Sequence, residues 1–184
     1  MDGRSGKWSL MLLAVFCTQP RAEVREATTT HAAFQYAITV QATPTRAYAA
    51  LIDVPHWWSP KHTFSGNAAN LRLDARAGGC WCEKLPGGGS VQHMTVTAAR
   101  PGAQLRLSGA LGPLQDGDLT GNMTWTLESA KNGGATLTMS YLIDGYFPGG
   151  LDQLSGVVDQ VLAEQVGRLQ RFIETGRPDA AAVK

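Results

Sequence analysis

The sequence predicts an α+β domain in which one antiparallel sheet of about seven strands is wrapped around a long C-terminal helix. Three observations lead to this prediction. One amphipathic segment, residues 151–175, is the longest periodic stretch in the chain. Between residues 71 and 146 the apolar residues instead alternate with period two, and glycine, proline or asparagine separates the alternating stretches. Two short helical stretches follow the first predicted strand.

The C-terminal segment has the spacing of an amphipathic helix about 37 Å long, at about 1.5 Å per residue. Gly176 followed by Pro178 is expected to end it. Gln165 projects from the middle of the apolar stripe, and a buried amide needs hydrogen-bond partners. Either the protein supplies them, or Gln165 faces a polar ligand or water in a cavity. The stripe consists of Leu151, Leu154, Val158, Val161, Leu162, Leu169, Phe172 and Ile173.

The N-terminal part of the predicted domain begins with a strand and then turns helical. Residues 34–40 alternate between apolar and polar or small side chains, as in a half-buried strand. Residues 43–44, Thr-Pro, are typical of a helix cap and first turn. Residues 53–55, Asp-Val-Pro, end or kink that helix. The adjacent Trp57 and Trp58 then follow in a short second helical turn.

The remaining strands have one apolar face, and their other face is mainly Thr, Ser, Asn and Arg. This pattern indicates an antiparallel sheet that is covered on one side. Only the C-terminal helix is long enough to cover it, and a curved sheet around a helix tends to leave a cavity between them. The predicted strands are residues 71–74, 80–85, 91–99, 104–111, 120–129 and 135–146.

Composition limits the function classes. The chain has 184 residues, 43% of them hydrophobic, which suffices for one domain with a real core. With 17% charged residues and a net charge of +1, no basic stripe indicates nucleic-acid binding. The longest apolar run, residues 10–17, is far shorter than a membrane span requires. The oligomeric state is left open.

The first 22 residues resemble a secretory signal peptide. Arg4 and Lys7 precede a short apolar core, and a small residue follows it. We therefore expect export to the periplasm or the exterior. The alternative is a disordered extension of a cytoplasmic protein. Residues 23–32 are predicted to form a linker.

A family resemblance adds to this prediction. The residues that carry it are Pro44, Ala47, Tyr48 and Leu51, the stretches 53–58 and 78–83, the turn and strand at 132–137, and the terminal helix. Together they resemble the START-like or SRPBCC superfamily, also called the helix-grip fold. The subgroup that it most resembles is that of polyketide cyclases and dehydrases, related to the chaperone-ATPase activator homologues. The resemblance implies a ligand-binding domain over residues 33–176. Residues 177–184 are predicted to form a flexible tail.

Glu83 is the strongest candidate for chemistry. It lies two residues after Trp81 on a strand, so both side chains share a face, and an inward Trp81 brings Glu83 into the cavity. A five-residue hairpin loop pairs Glu83 with His93, whereas a four-residue loop pairs it with Gln92. The first register predicts a Glu–His acid/base or ligand-anchoring pair. Otherwise the two side chains form an ion pair at the rim or are separately solvated.

Several aromatic residues are candidate ligand contacts. Trp57, Trp58 and His62 lie on the segment that caps the cavity mouth in the fold implied by the resemblance, where aromatic side chains could bind an apolar ligand. Trp125 and Tyr141 project toward the helix by strand alternation. For all five residues, packing in the core is the competing interpretation. With Trp81 and Gln165, they complete the predicted ligand-binding set.

Cys80 and Cys82 share the face opposite Trp81 and Glu83. A disulfide between them is conceivable, although an extended strand places their Cα atoms near the upper limit of about 6.8 Å. A metal site would need four good ligands, and we predict none. We predict no cofactor either, because the sequence has no phosphate loop, dinucleotide fingerprint or Ser-His-Asp elbow.

The sequence therefore favours a domain that binds a hydrophobic or aromatic small molecule between the sheet and the C-terminal helix. An enzyme of cyclase, dehydratase or hydrolase type using Glu83 and His93 is one alternative. A co-chaperone-like protein-interaction module is another. An inward Glu83 with a basic partner favours the enzyme, and an apolar cavity with Glu83 at its rim favours the carrier. A filled cavity with an exposed apolar patch favours the interaction module. The resemblance does not decide, since its superfamily includes carriers, receptors, enzymes and co-chaperones.

Overall fold

The computed structural model describes residues 23–131 and 133–180. The predicted signal peptide, residues 1–22, lies outside this part of the chain. Within the described ranges, no helix is both long enough and apolar enough to cross a membrane.

These described residues form one sheet and three α-helices. The strands are β1 Glu23–Ala27, β2 His31–Val40, β3 Leu71–Leu73, β4 Cys80–Lys84, β5 Ser90–Arg100, β6 Gln104–Ser108, β7 Asp118–Ser129 and β8 Ala135–Tyr146. The helices are α1 Pro44–Ile52, α2 Val54–Trp57 and α3 Leu151–Thr175. All strand pairs are antiparallel, in the order β1-β2-β8-β7-β6-β5-β4-β3. The predicted fold class is confirmed, with eight strands where about seven were expected.

The additional strand comes from the segment predicted to be a linker. That prediction is wrong for residues 23–27, which pair with β2 as an edge strand, and β2 itself begins at His31. Val24 packs against the core, and the Thr28 hydroxyl accepts a hydrogen bond from the His31 N–H at 3.0 Å in the connecting turn. The local sequence is mostly polar, and its order comes from the backbone ladder with β2, which no local pattern reveals.

The two early helices follow the sequence signals. Thr43 accepts a hydrogen bond from the Arg46 N–H at 3.4 Å, and Pro44 occupies the first turn of α1. Asp53 lies between α1 and α2 and caps both. The buried face of α1 consists of Ala47, Tyr48 and Leu51, so this helix closes one end of the space between the sheet and α3.

Helix α3 has the predicted bounds and ends at Gly176 in the left-handed conformation, with φ 72°. The apolar stripe differs between its two halves. Leu162, Val166 and Leu169 are buried, whereas Phe172 is only half-buried, stacked on His56 with ring centroids 6.1 Å apart. In the first half Leu154, Val158 and Val161 are also half-buried. All three line a cavity, and Leu154 and Val158 also pack against the edge of the core.

Residues 177–180, part of the predicted flexible tail, contact the C-terminal half of α3. Arg171 Nε donates to the Pro178 carbonyl at 2.7 Å. The buried Arg168 pairs with Asp179 and also donates from Nε to the Trp57 carbonyl at 2.8 Å. These contacts join residues 178–179, α3 and α2.

Candidate functional site

A cavity of about 280 Å³ lies between the sheet and the first half of α3; we call it the main cavity. Its walls are α3, the inner face of the sheet, the covering segment of residues 58–65, and the turn at residues 111–114. Most of the wall is apolar. The lining residues are Trp58, Lys61, His62, Thr63, Phe64, His93, Leu111, Gly112, Pro113, Leu114, Tyr141, Phe147, Leu154, Val157, Val158, Val161 and Leu162.

The covering segment is fastened at several points. Trp58 Nε1 donates to the His62 carbonyl at 2.8 Å, which closes the first turn of the segment. His62 Nε2 lies 3.0 Å from Glu164 Oε2 and so links the segment to α3. Phe64 of the segment and Val157 of α3 remain exposed, at 50% and 58%. Because both also line the main cavity, they mark its opening.

His93 reaches the inner face through a β-bulge in β5. Cys82 pairs with Gln92 and Trp81 with Met94, so His93 is the additional residue between the two pairs. The bulge buries His93 and Met94 consecutively, which regular alternation would not allow. Glu83 pairs with Val91. Neither predicted hairpin register is therefore correct, although the expected Glu–His contact exists.

Glu83 is buried, with 1% of its surface exposed, and both oxygens of its carboxylate accept hydrogen bonds. Oε1 accepts from the Ser65 N–H at 2.5 Å, and Oε2 accepts from the Phe64 N–H at 3.1 Å. Oε2 also lies 3.0 Å from His93 Nε2. Glu83 faces inward with Trp81, as predicted, but it is not part of the main cavity wall. It holds the covering segment and orients His93.

The surroundings of Glu83 and His93 lower the pKa of both side chains, but for different reasons. Burial opposes ionisation of Glu83, but hydrogen bonds from Ser65, from the Phe64 N–H and from His93 outweigh it and lower the pKa of Glu83 below 4.5. At His93, by contrast, burial dominates and lowers the pKa below 6.5, although Glu83 acts in the opposite direction. Near neutral pH, Glu83 is a carboxylate and His93 a neutral imidazole. The proton of that imidazole is on Nε2, facing Glu83, so Nδ1 carries a lone pair.

Two nitrogen atoms of this region, His93 Nδ1 and Trp81 Nε1, are buried without a hydrogen-bond partner among the described residues. The Trp81 ring meets the His93 ring edge-on, with centroids 6.3 Å apart, while Phe64 stacks on His93 at 5.9 Å. Aromatic contacts therefore fix the position of the imidazole. His93 Nδ1 is left available as an acceptor and Trp81 Nε1 as a donor.

A second cavity of about 20 Å³ adjoins the main one; we call it the small cavity. It is large enough for about one water-sized group. Its lining residues are Trp58, His62, Leu71, Trp81, His93, Leu111 and Gly112. Trp81 thus borders the small cavity and not the main one.

Tyr141 is held in the main cavity wall by its hydroxyl. The Tyr141 hydroxyl accepts from the Leu111 N–H at 2.9 Å and donates to the Gly109 carbonyl at 3.2 Å. Burial raises the pKa of Tyr141, so the phenol stays protonated. A Cβ atom at Gly121 would lie 2.9 Å from this hydroxyl, so only glycine leaves room for it there.

Three predicted ligand-binding residues lie in neither cavity wall. Gln165 Oε1 accepts from the Ser59 N–H at 2.8 Å, so the protein itself satisfies the oxygen of this amide. Trp57 is buried and its Nε1 donates to the Leu51 carbonyl at 3.1 Å. Trp125 is a buried residue of the inner face of β7. Core packing, the competing interpretation, describes Trp57 and Trp125, and for Gln165 the protein supplies a partner for the amide oxygen. Trp58, His62 and Tyr141 line the main cavity.

Sequence reasoning missed much of the wall. The turn at residues 111–114, Leu-Gly-Pro-Leu, supplies four lining residues, and Phe64 and Phe147 supply aromatic surface. Two leucines flanking Gly-Pro in a loop were the available signal, because a solvated turn does not need them. The half-exposed apolar residues of α3 offered no such signal.

Cys80 and Cys82 form a disulfide with Cα atoms 5.4 Å apart. The separation is shorter than that expected for a regular strand, and the β4–β5 ladder is interrupted between Trp81 and Cys82. Within residues 23–131 and 133–180, no three His, Cys, Asp or Glu side chains gather as a metal site would require.

A sheet wrapped around one long helix defines the helix-grip class of folds. No protein-family profile matches this chain, and no curated protein sequence is similar to it. Solved structures do share the fold. A conserved protein of unknown function from Enterococcus faecalis superposes with a TM-score of 0.57 at 15% identity, over 90% of this chain and 83% of that one.

Two further structures are similar to the chain. CalU16 from Micromonospora echinospora has a TM-score of 0.53 at 13% identity, over 86% of this chain and 88% of its own. DynU16, a protein of the dynemicin biosynthetic locus, has a TM-score of 0.52 at 22% identity, over 81% of this chain and 49% of its own. At these identities the likeness shows the fold alone.

Proposed function

We propose that this protein binds an apolar or aromatic small molecule in the main cavity. The observation that carries the proposal is the cavity itself, about 280 Å³ between α3 and the sheet, with a mainly apolar wall. A concave apolar site with a few fixed polar groups is the usual form of a small-molecule site. Here the polar groups at the wall include His62, His93 and the Tyr141 hydroxyl.

The volume limits the size of the ligand. An apolar cavity of about 150 Å³ holds one benzene molecule, so about 280 Å³ holds roughly two rings or an aliphatic group of similar bulk. Trp58, Phe64 and Phe147 offer aromatic surface to it. A bicyclic aromatic compound is therefore a suitable probe.

We also assign the chain, as a proposal, to the START-like superfamily and to its polyketide-cyclase and dehydrase subgroup. Three features support the assignment. They are the packing of the sheet around α3, the Asp-Val-Pro-His-Trp-Trp stretch at residues 53–58 and the Gly-Gly-Cys-Trp-Cys-Glu stretch at 78–83. The assignment carries no specific ligand or reaction, because fold does not determine activity.

The cavity proposal is tested by titrating naphthalene into the protein and measuring binding by calorimetry, with tryptophan fluorescence as a second signal from Trp58. The variant Val158→Phe places a ring into the main cavity. We expect it to weaken naphthalene binding by at least about tenfold, since the ring and the ligand need the same space.

The matched control is Val24→Phe, the same substitution at a half-buried valine of β1 that is outside the cavity wall. It should leave the affinity within about twofold of wild type. Equal affinities in Val158→Phe and wild type would show that naphthalene binds elsewhere. Absence of naphthalene binding to the wild-type protein would contradict an accessible apolar cavity.

A second candidate function is an enzyme in which His93 is the general base. The supporting observation is the neutral imidazole, whose buried Nδ1 has no partner within the described part of the chain and whose Nε2 lies 3.0 Å from the Glu83 carboxylate. In an ester hydrolysis, water would give a proton to Nδ1 while its oxygen bonds to the acyl carbon. The tetrahedral adduct would then expel the alkoxide, which takes the proton back. Glu83 would stabilise the imidazolium between these steps.

Hydrolysis of 2-naphthyl acetate tests this second candidate. If His93 is the base, His93→Gln should lower turnover by about 10²-fold or more while the naphthalene affinity is retained. His56→Gln, at an exposed histidine, is the matched control and should have wild-type turnover. Equal turnover in His93→Gln and His56→Gln would remove the enzyme candidate and leave the carrier.

The co-chaperone-like module has less support. Of the large exposed apolar residues in the described part of the chain, Phe64 and Val157 belong to the main cavity opening. Leu142 and Tyr146 are the others, both on β8. A cavity that is open rather than filled is the feature that favours a small ligand over a protein partner.

We further propose that the protein is exported. The signal-peptide-like sequence of residues 1–22 supports this, as does the pairing of Cys80 with Cys82, because disulfides persist in oxidising compartments. N-terminal sequencing of the native protein provides the test, with a mature terminus near Glu23 expected. An intact Met1 in a cytoplasmic fraction would contradict export.

A further inference from the structure

We propose that the small cavity is a hydroxyl-binding subsite, where Trp81 Nε1 donates to, and His93 Nδ1 accepts from, one hydroxyl group of the ligand. The inference rests on the proposed function and narrows its ligand to an aromatic or aliphatic alcohol. The apolar body occupies the main cavity, and the hydroxyl enters the small one.

Two unsatisfied atoms carry the inference. Trp81 is 4% exposed and His93 5% exposed, and each has one fully buried nitrogen that finds no partner in residues 23–131 and 133–180. Buried polar atoms in native proteins are nearly always hydrogen-bonded. Both side chains line the same small cavity. A group that enters this cavity can therefore satisfy one donor and one acceptor together.

The two cavities are adjacent. Five wall residues belong to both, namely Trp58, His62, His93, Leu111 and Gly112. A ligand in the main cavity can thus extend a substituent past His93 toward Trp81. The small cavity, at about 20 Å³, admits a group the size of a hydroxyl or a water molecule. It is too small for a ring or a carboxylate.

The chemistry of the two nitrogen atoms selects the group. Glu83 fixes the proton of His93 on Nε2, which leaves Nδ1 as an acceptor, and the indole Nε1 of Trp81 can only donate. A hydroxyl donates and accepts through a single oxygen, so it fits both. A carboxylate cannot donate to His93, an ammonium cannot accept from Trp81, and an ether cannot donate at all.

Three probes of the same bicyclic shape test the subsite by calorimetry: naphthalene, 2-naphthol and 2-methoxynaphthalene. We expect 2-naphthol to bind at least about fivefold more tightly than naphthalene, because its hydroxyl can form hydrogen bonds with both buried nitrogen atoms. The methoxy compound should bind no more tightly than naphthalene, since it cannot donate to His93 and its methyl group exceeds the small cavity.

The variant Trp81→Phe removes the indole N–H and keeps an aromatic ring. It should reduce the preference for 2-naphthol over naphthalene to about twofold or less. Trp125→Phe makes the same substitution at a buried tryptophan that is outside both cavity walls. This control should retain the full preference, which separates loss of the donor from a general loss of packing.

The outcomes distinguish the two proposals. If naphthalene binds and 2-naphthol binds no better, the small cavity holds water only, and the subsite is wrong while the main cavity stands. If Trp81→Phe and Trp125→Phe retain the same preference, the hydroxyl does not contact Trp81, and the subsite is again wrong. If none of the three probes binds, the proposed function itself fails.

Discussion

The two halves of α3 carry one continuous apolar stripe, yet one half packs in the core and the other borders a cavity. In the C-terminal half, Val166 and Leu169 are buried, and Arg168 and Phe172 contact α2. In the N-terminal half, Val157 and Val158 of the same helix form the wall of a cavity. The difference comes from what stands opposite the helix. Apolar spacing shows which face points inward, and the opposing elements decide whether that face is packed or left open.

The opposing elements differ in how they fill space. Opposite the C-terminal half is α2, where Trp57 is buried and its carbonyl accepts from Arg168 Nε at 2.8 Å. Opposite the N-terminal half, the main cavity is bounded by the covering segment, the turn at residues 111–114, and Tyr141 and Phe147. Glu83 and Glu164 attach that segment at its edges rather than filling the space beneath it.

The largest expected effect tests the comparison directly. Leu169→Ala, in the packed half, should lower the free energy of unfolding by about 2–5 kcal/mol, because Leu169 is fully buried and its loss leaves a void. Val158→Ala, in the open half, should cost less than about 1 kcal/mol, since Val158 already borders empty space. Urea unfolding followed by circular dichroism measures both. Similar losses for the two variants would mean that the halves are packed alike.

The next effect concerns the attachment of the covering segment. Glu83→Gln should destabilise the fold by about 1–3 kcal/mol, because a buried carboxylate that accepts from Ser65, Phe64 and His93 loses its charge. Glu164→Gln alters the outer attachment, where Glu164 is exposed, and should cost less than about 1 kcal/mol. The same unfolding assay applies. A smaller loss for Glu83→Gln than for Glu164→Gln would show that the outer ion pair holds the segment.

The pH dependence of stability sharpens the role of the same pair. Burial lowers the pKa of His93 from 6.5. Hydrogen bonds lower the pKa of Glu83 from 4.5, because together they outweigh its burial. The unfolded chain therefore binds protons more readily than the folded protein. Stability should fall as pH drops below about 6.5, first through His93, and fall again below about 4.5 through Glu83.

Urea midpoints measured from about pH 8 to about pH 5 check the first step. His93→Gln should flatten the decline, whereas His56→Gln, at an exposed histidine, should keep it. An undiminished decline in His93→Gln would assign the dependence to other groups.

The smallest effect is expected on the outer face of α3, where the two halves should behave alike. Gly156→Ala should stabilise the protein by about 0.5–1 kcal/mol, because a Cβ there meets no atom within 4 Å and alanine favours helix. Gly167→Ala should gain somewhat less, as its Cβ would lie 3.3 Å from Arg171 Nη1. Thermal unfolding midpoints resolve such changes. Destabilisation by Gly156→Ala would mean that a Cβ atom at this position on the outer face of α3 does clash with other atoms.

Much of this protein follows from local sequence. The period of the apolar residues determined the fold class, the bounds of α3 and the inward direction of Trp81 with Glu83. Thr43 with Pro44, and Gly176, marked helix ends that the structure confirms. These features were predictable because they depend on backbone preference and side-chain periodicity, which act over a few residues along the chain.

Tertiary structure alone decided the site. The bulge that turns His93 inward depends on how β4 and β5 pair across a hairpin, and a shift of one residue there reverses which face a side chain occupies. The partner of Gln165 is Ser59, 106 residues away. The strand β1 exists only because β2 lies beside it. Whether α3 borders core or cavity depends on the volumes of side chains brought together from distant segments, and no local pattern contains that sum.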